Sequence, residues 1–283
     1  MIPNNFNLPP DGLNIRFPDT PQAQEKRIHE QKLDAVRAFC RVNKLNRTIW
    51  HCHKAKIGIV TVGKSYLDTR LAFEELGINE AKAEALGVRL FKVAMPWPLE
   101  PEGILEFADG LELIIVVEEK RALIEPQIKE ILYNTSQRPQ LIGKKDEEGN
   151  DLFKSAGALD PNDIAINIGK RILTFNNDVN VKSFYQEIEA RLELSILPRD
   201  SILRLPYFCS GCPHNTSTVV PEGSIAMAGI GCHYMVQWMD RNTTGYTQMG
   251  AEGSNWIGQA PFSKRKHIFQ NIGDGTYFHS GIM

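Results

Sequence analysis

The sequence predicts an α/β protein built on a parallel β-sheet, and two observations support this class. Between residues 55 and 145, short β-branched runs alternate with segments whose apolar residues recur every three to four positions. Strands that alternate with helices are typical of βαβ units, whose strands pair in parallel. In addition, half of the 22 glycines lie beyond residue 205. This enrichment indicates a second, loop-rich α/β region, where ligand chemistry is commonly placed.

The N-terminal segment is predicted to lead into the sheet. Prolines recur through residues 1–26. Because proline fixes φ and lacks an amide hydrogen, we expect this stretch to be extended and irregular. From Glu25 to Asn43, apolar residues recur at intervals of mostly three to five, which predicts a helix with one apolar face.

Strands and helices then alternate. The run K-I-G-I-V-T-V-G, which ends at Gly63, predicts a buried strand, because continuous β-branched residues are typical of parallel strands covered on both faces. Further strands are predicted over 88–94, 111–118 and 138–145, with helices between them. These elements define a predicted α/β domain over residues 55–145.

The rest of the chain is predicted to form two parts. Residues 146–205 form a linker that carries helices over 160–175 and 181–194. The last part combines short strands, near 224–231 and 266–273, with glycine-rich loops. The predicted division of the whole chain is therefore 1–54, 55–145, 146–205 and 206–283.

Composition excludes several classes of protein. The formal net charge is −2, so no global basic field attracts nucleic acid. No apolar run approaches the roughly 20 residues that span a bilayer, so we expect no membrane partner. The N-terminus lacks the charged and apolar regions of a secretory signal. Five cysteines, an odd number, do not suggest a disulfide framework, which favours a reducing, cytoplasmic location.

Three short patterns are interpreted as poor functional candidates. Gly58–Ser65 satisfies G-x4-G-K-S, but its variable positions are the residues of the predicted strand, whose amides are used in the sheet rather than in a phosphate loop. His51-Cys52-His53 has no third ligand nearby and is expected to be a surface segment. Glu118-Glu119 follows a strand and is expected to be a solvated terminus rather than a site.

A cysteine pattern is the first strong chemical signal. Cys209 and Cys212 form a C-x2-C turn, and Cys232 follows a predicted strand. Thiolates in such turns can bind zinc or an iron–sulfur cluster. The spacing alone leaves three alternatives open: a cluster, a zinc site completed by His214 or His233, and free buried thiols.

The second signal is Gly273-Asp274-Gly275-Thr276, which follows a predicted strand. Glycines let a backbone approach a ligand closely, and an aspartate is a hard oxygen ligand suited to Mg²⁺ beside a diphosphate. Taken alone, the triplet also occurs in ordinary turns.

Taken in order, the motifs C-S-G-C-P-H, G-I-G-C-H-Y, M-G-A-E-G-S-N-W-I-G and G-D-G-T-Y-F-H-S-G resemble the 2-oxoacid:ferredoxin oxidoreductase family. The similarity is to its indolepyruvate type. D-G-L-N-I-R-F-P-D-T-P-Q-A-Q-E, at residues 11–25, and G-K-S-Y-L-D, at 63–68, extend the resemblance to nearly the whole chain.

The resemblance implies a fold and an activity. Residues 55–145 would be a domain similar to the transketolase C-terminal domain, and 206–283 the start of a thiamine diphosphate-binding domain. The implied reaction is oxidative decarboxylation of an aryl 2-oxoacid, such as indolepyruvate, with coenzyme A as acyl acceptor and ferredoxin as electron acceptor. A homo-oligomer is also implied.

The resemblance also implies site residues. Asp274 would bind Mg²⁺, and the cofactor would contact Gly273, Asp274, Gly275, Thr276 and His214. Cys209, Cys212 and Cys232 would bind a [4Fe–4S] cluster with a fourth ligand beyond residue 283. Because the domain that holds the aminopyrimidine is missing, we expect an internal fragment, inactive without the remaining domains of the enzyme. The rival hypothesis is a non-enzymatic zinc module.

Overall fold

A computed structural model describes residues 6, 8–136, 138–196 and 205–281. The chain forms two compact units that divide between residues 197 and 198. The first unit contains a five-stranded sheet and eight α-helices among its described residues. The second contains a three-stranded sheet with short helices and long loops.

The strands of the first unit are β1 (Arg47–Trp50), β2 (Ile57–Val62), β3 (Val88–Val93), β4 (Leu113–Val117) and β5 (Gln140–Ile142). Their order in the sheet is β1-β3-β2-β4-β5. Strand β2 pairs in parallel with both β3 and β4, and β4 pairs in parallel with β5. The predicted α/β class with a mainly parallel sheet is therefore confirmed.

The helices of the first unit are α1 (Pro21–Arg27), α2 (Leu33–Val42), α3 (Lys64–Glu75), α4 (Glu80–Leu86), α5 (Pro101–Ala108), α6 (Ile124–Leu132), α7 (Pro161–Phe175) and α8 (Val179–Ile196). A π-helical turn over Ile28–Lys32 joins the first two. The helices predicted near 25–43, 160–175 and 181–194 are present.

The expectation of an irregular chain up to residue 26 is wrong for its last part, because α1 begins at Pro21. The Thr20 hydroxyl accepts a hydrogen bond from the Ala23 amide at 3.2 Å. Proline is favoured in the first helical turn, where its missing amide hydrogen would have no partner. The prolines before Thr20 do not have this capping context.

Apolar side chains cover both faces of the sheet. Strand β4 is buried along all five residues. Along β2, Ile57 and Ile59 face one apolar cluster and Val60 faces the other, because successive strand side chains point to opposite faces. Helices α3, α7 and α8 contribute to the first cluster, and α5 and α6 to the second. The segment predicted as a linker thus supplies two helices of the first unit.

The second unit is built on β6 (Ala226–Ala228), β7 (Thr243–Tyr246) and β8 (Phe269–Gln270), in the order β7-β6-β8 with parallel pairing. Its short helices are α9 (His214–Ser217), α10 (Ser254–Gln259) and α11 (Asp274–Thr276). The strands predicted near 224–231 and 266–273 are present but shorter. Their shortness leaves most of the unit as loops.

Within the described residues, no helix combines the length and the apolar character that crossing a bilayer requires.

Candidate functional site

The predicted site segments of the second unit come together around His233. Its side chain is only 5% exposed. The ring of His214 lies edge to face against it, with 5.6 Å between ring centroids. On another side, a Cβ placed on Gly273 would lie 3.5 Å from His233 Cε1. The Cys-Pro-His turn and the Gly-Asp-Gly turn therefore both border one buried imidazole.

Close backbone approach explains two glycines at this point. A Cβ on Gly229 would lie 2.8 Å from His233 Nε2, and one on Gly273 would lie 2.6 Å from the carbonyl oxygen of Ile230. Either side chain would force the loops apart. The sequence motif G-I-G and the first glycine of G-D-G thus provide the space that lets the two loops meet.

The turn that carries Cys209 and Cys212 is fixed by backbone hydrogen bonds. The Cys212 amide donates to the Cys209 carbonyl at 3.1 Å, and the Asn215 side-chain amide donates to the same oxygen at 3.1 Å. Cys209 is exposed and Cys212 is half-buried, and both are free thiols. The two sulfur atoms are therefore carried by an ordered turn.

Arg241, which lies just before β7, donates hydrogen bonds to the same turn. Its Nη1 donates to the Thr218 hydroxyl at 2.7 Å, to the Asn215 carbonyl at 3.0 Å and to the His214 carbonyl at 3.2 Å. Its guanidinium also lies 5.8 Å from the ring centroid of Phe208. Sequence reasoning missed this residue, because an isolated arginine carries no motif.

Asp274 begins the short helix α11, just after β8. The carboxylate is exposed, and its Oδ1 accepts a hydrogen bond from the Gly275 amide at 2.8 Å. Thr276, two residues later, is 1% exposed. The loop thus presents a carboxylate to solvent and a hydroxyl to the interior.

Glu252, in the M-G-A-E-G segment, is a residue to which sequence reasoning assigned no role. Its Oε2 accepts a hydrogen bond from the Gly250 amide at 2.7 Å. Desolvation acts to raise its pKa, but the polar groups that face it, which are its own amide, the Thr276 hydroxyl and the Gly250 and Ile230 amides, outweigh this effect and lower the pKa. The carboxylate is therefore ionised at neutral pH.

Burial lowers the pKa of His233, and the neighbouring His214 lowers it further, while Glu252 acts in the opposite direction. The imidazole is consequently neutral at neutral pH. A neutral imidazole has one donor and one acceptor nitrogen, which suits hydrogen bonding to a polar ligand.

Several buried polar atoms in this neighbourhood have no hydrogen-bond partner among the described residues. They are His233 Nε2, Thr276 Oγ1 and Glu252 Oε1. The Thr276 hydroxyl lowers the pKa of Glu252 without forming a hydrogen bond to it. Unpartnered buried polar atoms are costly. Their concentration here fits a region that receives a polar ligand.

The three cysteines do not form a preassembled group of metal ligands. Among the described residues, the group of His, Cys, Asp or Glu ligand atoms within 4.8 Å of one another is Asp146, Glu147 and Glu148. Zinc–sulfur bonds of about 2.3 Å would hold zinc-bound sulfurs about 4 Å apart. Cys209, Cys212 and Cys232 therefore do not all lie at the spacing of one bound zinc ion.

The G-x4-G-K-S pattern lies in the first unit and forms no phosphate loop. Its variable residues, from Ile59 to Val62, belong to β2, which pairs with a strand on each side. Lys64 Nζ lies 2.5 Å from an Asp68 carboxylate oxygen and 3.7 Å from one of Glu119.

Glu118 was expected to be a solvated terminus, but it is 3% exposed. Its carboxylate accepts hydrogen bonds from the amides of Leu123, Ile124 and Glu125 at the start of α6, at 2.9–3.1 Å. The Glu118 side chain, which directly follows β4, therefore caps α6.

Of the His-Cys-His pattern, His51 and His53 are exposed and Cys52 is buried.

Comparison with known proteins places this geometry in context. The family model described as "Indolepyruvate oxidoreductase domain" matches residues 47–193. The chain is similar to the indolepyruvate oxidoreductase subunit IorA of Thermococcus kodakarensis, with 26% identity over 94% of this chain and 41% of the relative. IorA of Archaeoglobus fulgidus is 28% identical over 80% of this chain and 34% of that protein. The chain thus spans well under half the length of these relatives.

Two solved structures have partial likeness. One is a 2-oxoglutarate:ferredoxin oxidoreductase from Magnetococcus marinus with 2-oxoglutarate, coenzyme A and succinyl-CoA bound. It has a TM-score of 0.37 and 19% identity, over 55% of this chain and 24% of that one. The other, a split gene transketolase described as an inactive β4 tetramer, has a TM-score of 0.32 and 20% identity, over 46% and 41%. Scores this low do not establish a common fold.

Proposed function

We propose that this chain, which belongs to the indolepyruvate oxidoreductase family, forms part of an enzyme that oxidatively decarboxylates a 2-oxoacid. The observation that supports this most directly is the meeting of the Cys-Pro-His, Gly-Ile-Gly-Cys and Gly-Asp-Gly segments around His233. The relatives are named indolepyruvate oxidoreductase subunits. An aryl 2-oxoacid such as indolepyruvate is accordingly the proposed substrate.

In the proposed reaction, the bond between the carboxyl group and the 2-oxo carbon breaks and carbon dioxide leaves. The remaining acyl group is oxidised and transferred to the thiol of coenzyme A. The electrons released pass singly to ferredoxin. Thiamine diphosphate, when bound, supplies the carbanion chemistry of such a reaction, and the protein supplies binding, orientation and electrostatics.

The residues of the second unit fit a magnesium diphosphate. Asp274 offers an exposed carboxylate, the ligand type that Mg²⁺ favours. The Gly273–Thr276 turn contributes backbone groups, and the buried Thr276 hydroxyl has no partner. We assign Asp274 to the metal, and Gly273, Gly275, Thr276 and His214 to the cofactor. Neutral His233 is available to orient the same groups by hydrogen bonding.

We assign the cysteines to a cluster rather than to a zinc ion. Cys209 and Cys212 lie on one ordered turn, and Cys232 immediately precedes His233, whose ring contacts His214. The proposed reaction releases electrons that pass singly to ferredoxin, and an iron–sulfur cluster carries electrons whereas zinc has no redox chemistry. We therefore assign the three thiolates to a [4Fe–4S] cluster that passes electrons towards ferredoxin.

Activity is proposed for the complete enzyme rather than for this chain alone. The relatives are more than twice as long as the part that this chain matches. We propose that the remaining domains bind the aminopyrimidine of thiamine diphosphate and supply the missing ligands of the magnesium site and the cluster. We also propose that the enzyme is a homo-oligomer. All five cysteines are free thiols, which supports a reducing cytoplasmic location.

The test is titration of thiamine diphosphate, with Mg²⁺ present, into the complete enzyme and its Asp274→Ala variant. We expect saturable binding in the wild type and its loss in the variant, with an unchanged circular dichroism spectrum. Asp240→Ala, which removes another exposed carboxylate of the same unit, is the matched control and should bind normally. Equal affinity of the wild type and Asp274→Ala would contradict the proposal.

A further inference from the structure

We infer that Glu252 is a positioning residue for the magnesium diphosphate site, because its carboxylate fixes a loop that packs against the turn of Asp274. The inference rests on the proposed function. It assigns a role to the M-G-A-E-G segment, which the assignment of Asp274 and the cysteines leaves without one.

Glu252 lies beside three segments. Its Oε2 accepts a hydrogen bond from the Gly250 amide at 2.7 Å. The Ile230 amide, in the G-I-G-C segment, and the Thr276 hydroxyl, in the same helical turn as Asp274, both act to lower the pKa of the carboxylate. The hydrogen bond to Gly250 fixes the carboxylate to its own loop, next to the turn that carries Asp274.

The backbone of the same segment is pressed against the Asp274 turn. Gly250 has φ of +90°, a conformation that favours glycine, and a Cβ there would lie 2.9 Å from the Ser280 Cβ. Met249 Cε lies 3.7 Å from the place that a Cβ on Gly275 would occupy. Movement of Glu252 would therefore be transmitted to the residues that follow Asp274.

Charge explains why a carboxylate is useful at this position. An ionised carboxylate close to a diphosphate would repel the anion if its charge were not balanced. Here the Gly250 amide donates to it at 2.7 Å, and a donor of this kind stabilises the charged form. A neutral side chain would hold the same amide less firmly. The structure thus favours a role of the charge rather than of the side-chain shape.

The test compares Glu252→Gln with the wild type in the complete enzyme. Glutamine keeps the shape and removes the charge. We expect thiamine diphosphate, titrated at constant Mg²⁺, to bind about 10–100-fold more weakly, the usual effect of changing a residue that orients a metal ligand. Glu222→Gln, which neutralises an exposed carboxylate of the same unit, is the matched control and should leave the affinity unchanged.

A double-mutant cycle separates positioning through Thr276 from general loosening. If Glu252 acts through Thr276, then Thr276→Val should weaken binding, and the double variant should bind no worse than the weaker single variant. Additive losses would overturn the link through Thr276. Equal affinity of wild type and Glu252→Gln would overturn the inference while leaving the proposed function intact.

Hydrogen exchange gives a readout that needs no cofactor. In the cofactor-free enzyme, Glu252→Gln should speed exchange in peptides that contain Gly250, because its amide loses a charged acceptor. Peptides from α3 in the first unit should not change. Unchanged exchange at Gly250 would overturn the inference. A wild-type enzyme that does not bind thiamine diphosphate would instead overturn the proposed function, and with it the cofactor part of this inference.

Discussion

The imidazole rings of His214 and His233 lie edge to face, with 5.6 Å between their centroids and 61° between their planes. His214 follows Cys212 by two positions, and His233 directly follows Cys232. The ring contact therefore brings the C-x2-C turn beside the segment that carries the third cysteine. Because His233 also borders Gly273, the same contact connects the proposed cluster ligands to the proposed diphosphate site.

We predict that Arg241→Ala loosens the C-x2-C turn. The arginine donates to two carbonyls and one hydroxyl of the α9 segment, and these acceptors would lose a charged partner. Hydrogen bonds to charged groups contribute about 1.5–3 kcal/mol. Amide exchange over residues 212–219 should therefore accelerate about tenfold or more, as measured by mass spectrometry.

Arg265→Ala is the control for this experiment. Arg265 is exposed and donates to the Gly223 carbonyl at 2.9 Å, away from the cysteine turn. The variant should leave exchange over residues 212–219 unchanged. If Arg241→Ala behaved in the same way, Arg241 would not be the residue that holds the turn.

The long periodic elements of the fold could be predicted from the sequence, whereas short elements could not. Strands β2 and β4 appear as nearly continuous apolar runs, because both faces of the sheet are covered, and β3 keeps four buried apolar residues around Arg89 and Lys92. Strand β1 has four residues and pairs antiparallel to β3 at the sheet edge. Its pairing depends on contacts distant in sequence, which leave no periodic signal in so short a run.

The same distinction applies to the candidate site. Cys209, Cys212 and Asp274 belong to compact local motifs and could be selected from the sequence. Glu252 could not, because its proposed role depends on packing of its loop against residues 275–280, which lie more than 20 positions further along the chain. Glu118 was misjudged for a related reason. Whether a carboxylate at a strand end is solvated or caps a helix depends on where the next helix begins.

We predict that Glu118→Ala destabilises the first unit. The carboxylate accepts three hydrogen bonds from amides at the start of α6. Loss of a helix cap costs about 0.5–2 kcal/mol, and a buried position favours the upper part of this range. Urea denaturation should show the decrease. Glu130→Ala, an exposed change on the same helix, should alter the unfolding free energy by less than about 0.5 kcal/mol. Equal effects would contradict the capping role.

Asp178 is predicted to make stability depend on pH. A hydrogen bond from Lys82 lowers its pKa, and the amides of Val181 and Asn180 at the start of α8 lower it further. A carboxyl group whose pKa is lower in the folded state stabilises the fold when ionised. This contribution is present above the ordinary aspartate pKa and disappears as pH falls through the lowered value.

The measurement is the urea midpoint from pH 7 down to pH 3 for wild type and Asp178→Asn. The variant should be less stable at pH 7, and the difference should shrink as the pH falls. Asp240→Asn, at an exposed carboxylate of the second unit, should show no such convergence in the first unit's unfolding. A difference that stays constant with pH would contradict the prediction.

We predict that Gly58–Ser65 binds no nucleoside triphosphate. The residues between its glycines are part of β2, which is paired on both sides, and Lys64 is paired with Asp68. No loop of free amides is available to surround a phosphate. Isothermal titration with Mg-ATP should give no saturable heat. Saturable binding that disappears in Lys64→Ala would show that the strand opens into a phosphate loop.

The final prediction concerns the metal bound by the cysteines. The complete enzyme, purified without oxygen, should contain iron and sulfide and absorb visible light, because single-electron transfer to ferredoxin needs a redox-active group and zinc has no redox chemistry. Cys209→Ala, Cys212→Ala and Cys232→Ala should each lower the iron content strongly. Cys52→Ala removes a buried thiol of the first unit and should leave iron unchanged. Stoichiometric zinc without iron, lost in the same three variants, would contradict the prediction and support the zinc module.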